Sequence, residues 1–289
     1  MNKIFATIIN TIFFSSLAFA QLTEFSQGDI LSAGSMNQNF KYLESKLGGI
    51  NETTVNCGTD GNGHGINDAI QKGFNSIVIN GICKENIKLD GREGNVPRLL
   101  KLRGANNDYT KDKIVDNSSY SNHVINVLFD GILVTLDNLT ISGGIRTIRS
   151  WGPNIFRIEN VKIDDYKQRG IHMTEGSVID GYNVIIDGSN NSADSTERGI
   201  WLALQSYGWF ENLEISNNNW CGLCVYENSQ SHLRSSNSFF QNGIGIYVGL
   251  SSSLANNSSV SLNNNIDYGI QINQGMMLSS EGTNNKITI

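Results

Sequence analysis

The sequence has 289 residues, with 38 asparagines, 30 glycines and only 2 prolines; 39% of residues are hydrophobic and 17% charged, for a formal net charge of −6. That balance argues against a nucleic-acid role and gives no support for electrostatic attachment to an anionic surface. The low charged fraction is unlike a helical protein, and apolar residues at regular intervals exclude disorder despite the polar tracts.

The first twenty residues read as a signal peptide. Lys3 supplies a positive start, Ile4 to Leu17 is broadly apolar, and Ala18-Phe19-Ala20 is a small-x-small cleavage site. The run is short and interrupted by Asn10 and two serines, so it suits a membrane span less well, and no other run is long enough to span. The mature chain is expected to start near Gln21 and to be secreted, periplasmic or at the cell surface. Residues 21–52 differ in kind. Ser35 with Gln38 is a capping-box signature, and Met36, Phe40, Leu43, Leu47 and Ile50 form one apolar seam ending at Gly48-Gly49. This predicts a helix laid across the end of the following domain, or a short coiled coil that makes oligomers.

From 53 onward the pattern is β. Gly65 to Gly73 can form a short helix; Ser76-Ile-Val-Ile79 and Leu99 to Gly104 read as strands; Ala105 to Asn122 reads as a loop. Then the chain repeats. Asn138-Leu-Thr-Ile141 recurs at Asn160, Asn183 and Asn212, with weaker copies at Asn237 and Ser259. A second marker keeps step: Gly170-Ile-His-Met173, Gly199-Ile-Trp-Leu202, Gly222-Leu-Cys-Val225, Gly245-Ile-Tyr-Val248 and Gly269-Ile-Gln-Ile272. Both alternate apolar and other residues, which is strand patterning, and Asn, Gly, Ser and Asp fill the turns between them. Repeats of this length with no room for a helix predict a parallel β-helix whose turns stack at roughly 4.8 Å. Ile171, Ile200, Leu223, Ile246 and Ile270 should form one inward column. Lys286 to Ile289 is still in strand pattern, which predicts a cover for that end or self-association into a homo-oligomer.

Cys57-Gly, a short helix, Gly81-Ile-Cys83-x-Glu-Asn-Ile and a strand ending in Gly together resemble the N-terminal cap of secreted bacterial right-handed parallel β-helix proteins of the pectin-lyase-like fold. With the repeats, the resemblance covers roughly Val55 to the C-terminus and implies an all-β, right-handed parallel β-helix over residues 53–289. It speaks to fold more than function, because this fold carries lyases, hydrolases, epimerases and adhesins.

Four cysteines in an exported chain are first read as disulfides. Cys57 and Cys83 flank the cap helix, and the resemblance also implies their pairing. Cys221 and Cys224 are harder to join, because an extended three-residue step spans roughly 10 Å, beyond the ~7 Å limit for a bridge. They can bond only if Cys221 is still in the turn. No zinc or other metal site is expected from two clustered thiols.

Asp164-Asp165 resembles the aspartate pair of pectin-degrading hydrolases, yet the aligned positions in other repeats are Ser, Gly, Asn and Gln, which is turn chemistry. Arg169 and Arg198 occupy one column on consecutive turns, with Asp164, Asp165 and His172 nearby in sequence and an insertion, 189–197, beside them. These five are the candidate catalytic residues. An arginine base with carboxylates that bind calcium would resemble polysaccharide lyases; a surface salt-bridge patch is the plainer reading. In the second marker the middle residue must point outward, giving a column of His172, Trp201, Cys224, Tyr247 and Gln271. Flat aromatic faces suit sugar rings, so His172, Trp201 and Tyr247 are the candidate ligand contacts. A loop folding over the column would bury it instead. The expected partner is a polysaccharide or cell-surface glycan lying along this face. A lyase or glycoside hydrolase and a non-catalytic adhesive or structural protein are the competing readings.

Overall fold

A computed structural model describes residues 49–93, 96–129, 131–188, 197–279 and 287–288. The expected signal peptide (1–20), the helical segment (21–52) as far as residue 48, and positions 189–196 of the insertion lie outside the described residues. Ile50–Ile289 forms one compact unit, separate from Met1–Gly49.

The chain forms β1 (Glu52–Gly63), a helix α1 (Ile66–Gln71), β2 (Ser76–Lys84), β3 (Ile87–Asp90), β4 (Leu99–Gly104), β5 (Lys113–Val115) and β6 (Ile125–Leu128). The regular part follows with β7 (Leu133–Ser142), β8 (Arg146–Trp151), β9 (Ile155–Asp164), β10 (Arg169–Thr174), β11 (Val178–Asp187), β12 (Arg198–Leu202) and β13 (Tyr207–Ser216). It ends with β14 (Cys221–Val225), β15 (Gln230–Phe240), β16 (Ile244–Gly249), β17 (Ser253–Asn263), β18 (Tyr268–Asn273), β19 (Met276–Ser279) and β20 (Ile287–Thr288). The long strands stack in parallel as sheet A, in the order β1-β2-β4-β7-β9-β11-β13-β15-β17-β19. The short ones stack as sheet B, β18-β16-β14-β12-β10-β8-β6-β3. One long and one short strand make each turn of a parallel β-solenoid.

The marker asparagines are corners. Asn138, Asn160, Asn183 and Asn212 sit mid-strand with φ of 52, 53, 53 and 52°, a left-handed backbone that Asn adopts more easily than most residues. Each bends its strand into two straight runs. Their side chains then bond along the axis: Asn183 Nδ2 donates to Asn160 Oδ1 at 2.9 Å, and Asn212 Nδ2 to Asn183 Oδ1 at 3.0 Å. Asn237 departs from this role. The left-handed corner of β15 is Ser235, and the register slips by one residue between Glu211 and Glu214. Asn237 is therefore an inserted residue, buried where its neighbours place apolar side chains. Its Oδ1 accepts the Leu213 N–H at 3.1 Å and its Nδ2 donates to the Arg234 carbonyl at 2.8 Å.

Between the sheets the apolar side chains stack in columns. Ile171, Ile200, Leu223 and Ile246 are buried and pair in register, while Ile270 in β18 is half-buried. Fully burying one such side chain stabilises by about 1.5–3 kcal/mol, and here each is covered by the turn above and below. At the N-terminal end, α1 buries Ile66, Ala69 and Ile70. The Glu85 carboxylate accepts the N–H groups of Gly65, Ile66 and Asn67 at the helix start, and Cys57 is bonded to Cys83 across a Cα separation of 5.0 Å. The stretch 105–122 is not only loop: β5 pairs with β2 and β7 and buries Ile114. Two apolar residues, Ile114 and Val115, between Lys113 and Asp116 are too short a run to signal a strand. At the other end, Ile287 pairs with Val260, so β20 joins β17 of sheet A beside β19.

A guanidinium and aromatic face on sheet B

The register of sheet B sets its outer face. Arg146, Arg169, Arg198, Cys221, Ile244 and Tyr268 occupy one column. A second column runs Asn126, Arg149, His172, Trp201, Cys224, Tyr247 and Gln271. Between them the chain comes close to its neighbours: a Cβ on Gly170 would lie 2.8 Å from the Gly199 carbonyl oxygen and 2.9 Å from Ile186 Cγ2, so glycine is required there.

The C-terminal half of the face is aromatic. Trp201, Trp220, Tyr247 and Tyr226 form a closed circuit of tilted ring contacts, with centroids 5.7, 5.5, 6.1 and 5.4 Å apart in turn. Trp201 is half-buried and Tyr247 is 8% exposed. The circuit covers Cys221 and Cys224, both fully buried and joined as a disulfide with a Cα separation of 6.1 Å. Both lie in β14, contrary to the expectation that a strand would hold them too far apart. The backbone through Gly222 is shorter than a fully extended step, which brings the Cα atoms within bridging range.

The N-terminal half is cationic. The Arg198 guanidinium lies 4.3 Å from the Trp201 ring centroid and 4.1 Å from that of Trp220, and Arg169 lies 4.8 Å from that of Trp201. Arg169 Nη1 is 3.1 Å from both ring nitrogens of His172, which is 9% exposed. Burial, then the charge of Arg169, pushes the His172 imidazole far below its usual range, so it is neutral at pH 7. Burial and the neighbouring Arg146, Arg198 and Arg149 pull Arg169 down to about 9, which still leaves it charged. None of the ion pairs among the described residues involves Arg146, Arg149 or Arg169.

The aspartates stand apart. Asp164 ends β9 and faces Lys162 Nζ at 3.1 Å, and that ammonium also reaches Asp187 at 3.9 Å. Asp165 holds the corner after β9 with φ 56°, and accepts the Tyr120 hydroxyl at 2.6 Å. Burial first, then Asp165, pushes Tyr120 up to about 12. The structure thus brings together Arg169, His172, Arg198 and Trp201, with Tyr247 beyond Cys224, and leaves both carboxylates bound to other groups. A calcium ion does not fit the aspartates, because Lys162 already supplies the positive charge between Asp164 and Asp187. No group of three or more His, Cys, Asp or Glu among the described residues could hold a metal.

Trp220 and Tyr226 escape a reading of the repeats because they flank the marker strand; their signal is the aromatic on each side of Cys221 to Val225. Arg146 and Arg149 escape because Thr147 replaces the marker glycine, although Arg146-Thr-Ile-Arg149 is otherwise in phase with Arg169-Gly-Ile-His172. A cavity of about 660 Å³ lies on the turns after the sheet B strands, lined by Glu175, Leu204, Glu227 and Leu250 among others, and contains none of the predicted site residues. The candidate site is an extended face rather than a pocket.

A family model described as the right handed beta helix region matches residues 143–288. No curated protein and no solved structure matches the chain.

Proposed function

The chain belongs to the right-handed β-helix family, and we propose that it recognises an extended polysaccharide laid along the outer face of sheet B. The carrying observation is the in-register continuity of the two outer columns, which joins a row of guanidinium groups to a four-ring aromatic cluster on successive turns. Pyranose rings present apolar C–H faces to aromatic side chains and hydroxyls to charged donors. A face about 4.8 Å deep per turn offers such contacts repeatedly, as a polymer requires. The two disulfides point to a location outside the cytoplasm. No described helix is long and apolar enough to cross a membrane. An exported protein acting at a cell surface or in the periplasm is the setting this reading implies.

The test is a glycan array followed by titration of the bound glycans. Trp201→Ala should weaken binding by about 1–2 kcal/mol while the inward columns, and so the unfolding midpoint, change little. Unaltered binding with Trp201→Ala would reject the face.

One observation favours a second reading. Arg169 has a depressed basicity and a neutral imidazole against it, which is the direction an arginine base for β-elimination requires. Such a base would take the proton from the sugar carbon while the glycosidic oxygen leaves. Asp164 and Asp165 take no part in it, and a two-carboxylate hydrolase gains no support from their placement. Ultraviolet absorbance from an unsaturated product on the bound glycans would select the lyase; binding without products selects a recognition or adhesive module.

A further inference from the structure

We propose that the polymer held on this face is a sulfated polysaccharide, with its sulfate esters seated along the guanidinium column of Arg146, Arg169 and Arg198. This rests on the reading of the face as a polysaccharide site and names the class of polymer.

Parallel pairing places the three guanidinium groups on consecutive turns at a spacing of roughly 4.8 Å, with Arg149 beside them in the next column. Like charges stacked in this way repel. Arg146, Arg149 and Arg169 have no ion-pair partner among the described residues to offset that repulsion. In a chain of net charge −6 carboxylates are plentiful, yet none among the described residues forms an ion pair with these three. The Nε–H groups of Arg146, Arg149 and Arg169 are enclosed and meet no acceptor. That inner edge is closed to a polymer, so an oxyanion would be held by the outer Nη groups, which can still form a two-pronged hydrogen bond. Burial, then Arg149, lowers Arg146, and burial, then Arg146 and Arg198, lowers Arg169, as expected of cations crowded together.

The chemistry of the anion follows from the surroundings. Guanidinium is weakly hydrated, and Arg169 and Arg198 are half-buried against Trp201, Trp220 and His172. A sulfate ester matches that setting, because it is itself weakly hydrated and stays ionised throughout the physiological range. Its terminal oxygens point in three directions, so one sulfate can bond to guanidinium groups on two turns. The two coplanar oxygens of a carboxylate are used up by a single guanidinium fork.

Matched polymers test this with the full chain: dextran, carboxymethyl dextran and dextran sulfate of equal length, the latter two of equal charge density, titrated at two salt concentrations. The sulfated polymer should bind about tenfold or more tightly than the carboxymethylated one, with neutral dextran weakest. Arg169→Lys keeps the charge and removes the fork, so it should erase most of the preference for sulfate over carboxylate. Lys101→Gln on sheet A removes one charge elsewhere and should leave that preference intact. Equal affinity for the two acidic dextrans would overturn the sulfate assignment while leaving the polysaccharide reading in place. An equal loss from Lys101→Gln, or equally tight binding of polydeoxythymidine, would overturn it as general charge attraction. Binding of none of the dextrans, with no glycan bound on the array, would overturn both readings.

Discussion

Asn183 shows how much a single residue can carry in a solenoid. Its φ of 53° bends β11, its Nδ2 donates to Asn160, and its Oδ1 accepts from Asn212. Alanine there should cost roughly 1–3 kcal/mol, combining the left-handed strain with the loss of side-chain bonds. Glycine escapes the strain and should cost less. Denaturant titration of the two variants checks the order; glycine being the more damaging would show that the ladder, not the backbone, is the main requirement. The asparagine period is visible in the sequence because every turn needs the same corner. Asn237 misleads for the same reason: it carries the right residue type, but a one-residue bulge moves it from the corner into the core. Asp165 could not be placed by sequence, since its partner Tyr120 is fixed by the 116–122 loop; Asp164 meets Lys162 two residues earlier in β9, and Asp187 only through the stacking of turns.

At the scale of the element, the alternation of β10, β12, β14 and β16 decides what faces in and what faces out. Leu223 is fully buried between Ile200 and Ile246. Leu223→Ala should cost roughly 2–5 kcal/mol, and a change under about half a kcal/mol in reversible unfolding would contradict that packing. The same alternation makes the outer column His172, Trp201, Cys224 and Tyr247 readable from sequence, but not its depth. Trp220 and Tyr226 lie outside the strand pattern and close over it, so residues expected to stand free are half-buried or buried. In the cap, the Cys57–Cys83 bond closes 26 residues of chain around α1. Its double replacement by serine should cost roughly 2–4 kcal/mol, and non-reducing peptide mapping should recover the linked pair.

At the scale of the whole molecule, the fold is legible because stacking imposes one pattern on every turn, whereas the electrostatics depend on which residues the stacking brings together. Sheet B and the residues leading into it gather His123, Arg146, Arg149, Arg169 and His172 from three segments spaced along the chain, and the result is a half-buried cationic region inside an acidic protein. This has a consequence for acid stability. Burial, then Arg146 and Arg149, pushes His123 down to about 4, against about 6.5 in the unfolded chain. His172 is depressed further, and His232 is depressed by burial and Arg234. Between these limits the unfolded chain binds more protons than the folded one, so stability must fall as pH drops from about 6.5 toward about 4. The carboxylates that burial raises, Asp137 and Asp180, act in the opposite direction. Those held low by hydrogen bonds, such as Asp90 at about 2, lose their contribution only below the unfolded value near 3.9. Three depressed histidines oppose two raised carboxylates, and only the histidines have a free value near the top of the window, so they set the expected sign. The unfolding midpoint in denaturant should be lower at pH 5 than at pH 7, and His123→Gln should remove part of that difference without lowering stability at pH 7. A midpoint that rises on going to pH 5, or an undiminished difference in His123→Gln, would show that His123 is not held neutral against the guanidinium groups of sheet B.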